Sequence, residues 1–389
     1  MGRIAGRFAR VEPRRRARSL ILGLLSDLPR KNCWTLAEHA SDATPDGMQH
    51  LLGRAKWDAN MVRDDVREYV AEHLHDDAVL VVDETGDLKK GTHTVAVQRQ
   101  YTGTAGRIEN AQVAVYLAYS GQRGHVAVDR ELYVPRSWTT DPDRCQAARM
   151  IGRFLDAGHR VSFVAGDEVY GGSLRRRTAL EERGIGYVLS VACSAEATAH
   201  AGKFRADALA VKAPTCAWQK LSAGAGAKGH RFYDWAVVDL AEPRPGSHHL
   251  LIRRNRTTGQ RAYYRCWSPA PASLGTLVRV AGSRWRVEET FQSGKGLAGL
   301  DQHQVRRFTS WSRWVTLATL AHAFLAVVRA DEQARHASPG GLIPLTCTEI
   351  QRLFTSLVIQ PARDAAHRLA WSEWRRRHQA RARTSHYRR

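Results

Sequence analysis

Residues Ala78-Val79-Leu80-Val81-Val82 form an unbroken apolar run that ends abruptly in Asp83-Glu84-Thr85-Gly86. Such a run has no polar side to offer water, so it reads as a strand buried on both faces of a sheet. A carboxylate leaving a buried strand points into the interior or into a cleft at the strand end. It needs a cation or hydrogen bonds to offset its desolvation. The pattern recurs where Val161 to Gly166 lead into Asp167. A single Asp of this kind is an ordinary turn residue. Two in one sheet point to a divalent-metal site built from oxygen ligands.

The intervening sequence supplies the rest of a sheet. Strands are predicted at Gln112 to Ala118 and His125 to Val134, joined by the Gly121–Gly124 turn. A helix with Ala147, Met150, Ile151, Phe154 and Leu155 on one face follows, then the strand Val161–Ala165, a helix over Leu174–Arg183 and a strand at Tyr187–Val191. Three strands, helix, strand, helix, strand is the order of an α/β fold of the RNase H-like type, a mixed sheet with flanking helices.

This core (77–193) is interrupted at 194–270 by a β-rich insertion domain. The insertion begins Ala-rich, contains the flexible segment Ala223–Gly226, and has strand-like pieces at Phe232–Asp239, His249–Arg253 and Ala262–Trp267. Residues 271–340 return to helix and complete the core. Residues 1–76 read as an N-terminal helical domain, with Leu20, Leu24 and Leu25 at helical spacing and basic residues throughout. They suit either DNA binding or a helical cap with a solvated charged face. Residues 341–389 form a helical, Arg-rich C-terminal region, with Trp371 and Trp374 spaced for a short helix and a basic tail beyond Arg363.

Charge narrows the partner. The 389 residues carry 59 Lys plus Arg against 38 Asp plus Glu, a net +21, and only 9 of the 59 are lysines. Arginine makes planar bidentate contacts with phosphate, so a nucleic acid is the expected partner. With 43% hydrophobic residues, general disorder is excluded. No unbroken apolar run approaches the roughly 18–20 residues of a membrane span, so no membrane partner is expected. The short apolar stretch Leu20–Leu25 ends at Asp27 without a cleavage pattern. Six scattered cysteines (Cys33, Cys145, Cys193, Cys216, Cys266, Cys347) contain no Cys-x-x-Cys pair, which suits free thiols in a reducing, cytoplasmic compartment.

The most informative helix is Arg284-Trp285-Arg286-Val287-Glu288-Glu289-Thr290-Phe291-Gln292-Ser293-Gly294-Lys295. Offsets of four and seven place Arg284, Glu288 and Lys295 on one face. A carboxylate between two cations suits a metal ligand whose neighbours hold phosphates, although a surface ion-pair ladder has the same spacing. Gly294 and Gly296 each cost about 1 kcal/mol inside a helix, so the turn carrying Lys295 is expected to fray.

With these residues in view, the chain resembles the DDE-type insertion-sequence transposases, in the supergroup of insertion-sequence families 4 and 701, over nearly its whole length. The family pattern Tyr-x2-Arg-x3-Glu-x6-Lys falls on Arg284, Glu288 and Lys295, with Ala281 in place of the tyrosine. The two family aspartates fall on Asp83 and Asp167, 84 residues apart, and Glu288 follows 121 residues later, beyond the insertion. The resemblance implies a bacterial, cytoplasmic, nucleoid-associated DNA transposase that binds terminal inverted repeats, cleaves the ends and joins them to target DNA. It implies two Mg²⁺ ions, with Mn²⁺ able to substitute, on Asp83, Asp167 and Glu288. Arg284, Lys295 and Arg306 are expected to bind double-stranded DNA, both transposon ends and target, in a complex with a homodimer of the protein. A structure-specific nuclease of the same fold, or a domesticated DNA-binding protein lacking catalysis, are the alternatives. Glu84, Asp87, Glu168 and Glu289 are expected to be supporting or surface residues, with Glu84 on the opposite sheet face from Asp83. Trp218, Trp235 and Trp267 are read as ordinary core or surface residues; the resemblance also allows one of them to stack a flipped base.

Overall fold

A computed structural model of the chain describes residues 1–74, 77–135, 146–226, 229–335, 344–359 and 365–387. The chain divides into two compact units. One holds Met1–His73, Asp87–Gln112 and Phe291–Arg389; the other holds Leu74–Gly86 and Val113–Thr290.

The strands are β1 (Val79–Leu88), β2 (Gln98–Thr102), β3 (Arg107–Ser120), β4 (His125–Leu132), β5 (Phe163–Gly166), β6 (Gly186–Val191), β7 (Glu196–Ala199), β8 (Gly202–Arg205), β9 (Gln219–Gly226), β10 (Gly229–Asp239), β11 (Ser247–Arg254) and β12 (Arg261–Ser268). In the second unit the sheet runs β4-β3-β1-β5-β6-β12-β11-β10-β9. Its first five strands have the RNase H-like order. β4 lies antiparallel to β3, and β5 lies parallel to both β1 and β6. Strand β1 has a neighbour on each side and Val79 to Val82 are buried, which is why that stretch carries no polar alternation.

Apart from the β7–β8 hairpin, the strands of the insertion extend the core sheet. Strand β12 pairs antiparallel with β6, from Tyr263 opposite Val191 to Trp267 opposite Tyr187, and β11, β10 and β9 extend the same ladder. One expectation within it is corrected. Ala223–Gly226, read as flexible, lies in β9, because the backbone pairs with β10 and supplies order that side chains this small do not. The Ala-rich start contains the β7–β8 hairpin and a helix, Ala206–Lys212, whose Ala206, Leu209 and Ala210 are buried with Leu250, Ile252 and Tyr263. Trp235 and Trp267 are core residues, while Trp218 is half-buried beneath the Arg254 guanidinium, 4.3 Å away.

The helix Leu274–Ser283 packs on this sheet through small residues. A methyl group on Gly282 would lie 2.0 Å from the Ala223 carbonyl oxygen, and one on Gly171 would lie 1.9 Å from that of Ser190. Both glycines therefore set how closely a helix approaches backbone.

The first unit is a helical bundle built around Phe308–Arg335, with Val11–Leu25, Asp46–Gly53 and Ala59–His73 packed against it. By length and composition this 28-residue helix would suffice to cross a membrane, but 78% of its most apolar window is buried in the protein, as in a core helix. Buried Arg313 donates to the Leu52, Ala55 and Trp57 carbonyls. Part of the basic charge is neutralised internally, since Arg7 pairs with Asp65 and buried Arg63 and Arg67 pair with Asp64. The short C-terminal helix expected around Trp371 and Trp374 extends over Ala365–Tyr387. It is anchored by buried Trp371 donating to Asp42, by Arg375 pairing with Glu38, and by Trp374 packing on Trp34. The described cysteines are free thiols; Cys145, and Arg363, Arg388 and Arg389 of the basic tail, lie outside the described residues.

Gly282→Ala and Gly171→Ala are each expected to destabilise the protein by about 1–3 kcal/mol through overpacking. Gly172→Ala, whose added methyl would sit 3.7 Å from the nearest atom, is expected to be nearly neutral. Urea-denaturation midpoints check this.

Candidate active site

Parallel pairing of β1 with β5 ends at Val82 opposite Gly166. The next residue on each strand is an aspartate, so the register alone sets Asp83 beside Asp167 on strands roughly 4.8 Å apart. Strand β1 does not end at Asp83, as its sequence suggests, but continues to Leu88. Strand β5 does end, and Asp167 turns the chain into the short helix Glu168–Gly171, its side chain accepting from the Val169 N–H at 3.0 Å.

That ending corrects the expectation for Glu84. Strict alternation would send its side chain to the opposite face, yet carboxylate oxygens of Asp83, Glu84 and Asp167 lie within 4.8 Å of one another. Beyond Gly166 no β5 residue flanks β1, so the longer Glu84 side chain can bend around the strand end. Tyr170 fixes it there, its hydroxyl donating to Glu84 Oε2 at 2.9 Å. The sequence signal for Tyr170 was its place three residues after Asp167, on the first turn of the helix that Asp167 caps.

The three carboxylates are poorly compensated. Burial pushes the Asp83 carboxyl up to about 7, with the Asp167 and Glu84 charges adding to it, although Arg284 acts in the other direction. Burial also raises Glu84, as does the Asp167 charge. A partly buried group of oxygen donors short of positive charge has the chemistry of a hard divalent-cation site. Among the described residues no other cluster of this kind occurs.

Glu288 is not a member of that cluster. Arg284 stands between them: its guanidinium is 3.6 Å from Asp83 Oδ2 and 3.6 Å from Glu288 Oε1, the i,i+4 partner expected on that helix face. The Glu288 side chain is 61% exposed, so it can move without unpacking the helix. Arg284 Nε is buried and unpaired among the described residues. Glu289 lies elsewhere, 3.7 Å from His125 Nε2. Ala281, in the family's tyrosine position, is buried in the helix Leu274–Ser283.

Lys295 belongs to the helical unit, where its Nζ is 3.4 Å from Asp87 Oδ1 and His303 Nε2 is 3.2 Å from Asp87 Oδ2. Asp87 is thus a buried counter-ion, not a surface residue. Burial raises its carboxyl, but the His303 hydrogen bond, with Lys89 and Lys295 nearby, outweighs burial and holds it below the usual range. The turn carrying Lys295 is not frayed. The helix runs from Trp285 to Ala298 and closes at Gly299 in the left-handed region (φ +62°), with the Leu300 N–H bonded to the Gly294 carbonyl. Arg306 is exposed just before Phe308–Arg335, and its carbonyl accepts from the Val95 N–H at 2.9 Å.

The chain is similar to proteins already known. Residues 4–208 match the family described as DDE superfamily endonuclease. A probable transposase for insertion sequence element IS701 from Microchaete diplosiphon is 30% identical over 181 residues, 44% of this chain. The match covers 47% of that relative, so the chain spans about half the length of the protein it resembles. The solved piggyBac transposase synaptic complex with hairpin DNA is 12% identical, with a TM-score of 0.47, over 93% of this chain and 75% of its own.

An acid whose pKa is higher in the folded chain than in the unfolded one costs stability as pH rises between those two values. For Asp83 that window runs from about 4 to about 7. In EDTA, Asp83→Asn is therefore expected to stabilise the protein by on the order of 1–3 kcal/mol at pH 8 and to change little at the acid end. Thermal melts across pH check this; parallel profiles for the two proteins would contradict it.

Proposed function

The chain belongs to the DDE superfamily of endonucleases, and on that premise we propose that it is a DNA transposase acting on the ends of an insertion sequence. The observation that carries the reading is the convergence of Asp83, Glu84 and Asp167 at the central strands of an RNase H-like sheet. Such a cluster fits divalent cations, because three acidic side chains share one partly desolvated site and burial outweighs the nearby arginines at Asp83 and Glu84. Two Mg²⁺ ions, or Mn²⁺ in their place, held by Asp83, Asp167 and Glu288 with Glu84 alongside, would activate the attacking oxygen and stabilise the leaving one.

The protein's own groups would then orient the DNA. Arg284 is positioned to exchange its long contacts with Asp83 and Glu288 for a phosphate, releasing Glu288 toward the aspartates. Lys295 and Arg306 are the further phosphate contacts, Lys295 in competition with Asp87. Tyr170 stays protonated, because burial and the Glu84 charge both oppose its ionisation, and so continues to hold Glu84. In this reading a homodimer binds the terminal inverted repeats in the bacterial cytoplasm, at the nucleoid. Water opens each end, and the freed 3′-hydroxyl attacks the target strand.

Incubation with Mg²⁺ and duplexes carrying the DNA that flanks the gene tests this. Joined end–target products are expected. Nicking without joining would indicate a nuclease, and binding without cutting a DNA-binding protein alone. Asp83→Asn, Asp167→Asn and Glu288→Gln should each reduce cleavage by at least about 100-fold while end binding persists. Glu84→Gln should cost about 10–100-fold. Near-normal cleavage in any variant removes that residue from the centre.

A further inference from the structure

In the helical unit, an open cleft of about 390 Å³ lies at the amino end of Phe308–Arg335, between that end and the helices Cys33–His39 and Asp46–Gly53. Its volume falls in the range of roughly 300–1,000 Å³ typical of ligand sites. Leu52 and Trp34 form an apolar wall, and Gln49, Arg306, Arg307 and Ser310 bring polar groups to it. No acidic residue is among the described residues that line it. Cys33 adds no negative charge either, since burial pushes its thiol up to about 11.

Three features converge on an anion. A long helix presents N–H groups without intrahelical partners and a positive dipole end at its start. Two consecutive arginines, both exposed, stand immediately before that start. The third is independent of these: Ser310 is only 8% exposed, lines the cleft and makes no side-chain hydrogen bond with the described residues. Its hydroxyl is open to the cleft rather than to another side chain, so an occupant with acceptor oxygens can take its hydrogen bond. We propose that this cleft is a second DNA contact, which takes one backbone phosphate and its adjoining nucleotide onto Arg306, Arg307, Ser310 and the helix end. The inference rests on the reading of the protein as a DNA transposase, and it concerns a site built by the helical unit alone, not the acidic centre. A phosphate contact here would position the duplex without reading its sequence.

The test is binding of the full-length protein to a DNA duplex across a salt series, with cleavage assayed in parallel. Gln49→Glu places a carboxylate at the cleft from an exposed position, so folding should be unaffected. It should weaken binding by about tenfold or more and lower the slope of log K against log salt by about 0.9, the contribution of one phosphate. Ser310→Ala should weaken binding several-fold at an unchanged melting temperature. His50→Glu adds the same charge one residue along, outside the cleft lining, and should leave binding near wild type. Equal losses in Gln49→Glu and His50→Glu would show a general surface effect and overturn the cleft as a site, as would unchanged affinity in both Gln49→Glu and Ser310→Ala. Unaltered cleavage beside that negative result would leave the transposase reading standing. Absence of DNA binding by the wild-type protein would remove the reading and this inference together.

Discussion

The parallel register of β1 on β5 is the constraint on which the site depends. Because pairing ends at Val82 opposite Gly166, two aspartates separated by 84 residues emerge side by side without any direct attraction between them. Their mutual repulsion, added to burial, is the cost of that register, and it appears in the raised Asp83 carboxyl. A one-residue slip would send one aspartate to the other face and remove the repulsion. The apolar residues of β1 oppose the slip, being buried along their whole length between neighbouring strands.

Around this pair the other elements act as positioners. Asp167 caps the short helix that carries Tyr170, and Tyr170 holds Glu84. Gly171 lets that helix lie against β6, and Gly282 lets the arginine-bearing segment approach β9. Among the described residues Arg284 is the cation paired with Asp83, and it divides its charge with Glu288. Glu288 is therefore linked to the acidic cluster only through that arginine.

Much of this was legible in the sequence because it follows from periodicity and burial. The strands β1, β3, β4, β5 and β6, their order, and both aspartates could be read from apolar runs and the turns between them. The Arg284–Glu288 pair followed from helical spacing. What was missed depends on partners distant in sequence. Glu84 violated alternation because β5 stops before it, a fact that its own neighbours do not encode. The segment Ala223–Gly226 became a strand because β10 lies beside it. The turn at Lys295 stayed helical because its Gly299 cap and the ion pair with Asp87 outweigh the two glycines. The two-unit division, which returns Asp87–Gln112 to the helical bundle, leaves no mark in composition.

The central claim is that the acidic residues of β1 and the β5 end form a divalent-cation site, and Mn²⁺ binding tests it without DNA or turnover. Titration followed by electron paramagnetic resonance should show Mn²⁺ taken up by the wild-type protein. That uptake should be lost in Asp83→Asn, weakened in Glu84→Gln, and unchanged in Glu289→Gln, whose carboxylate faces His125. Wild-type uptake by Asp83→Asn, or its loss in Glu289→Gln alone, would place the metal elsewhere and contradict the account.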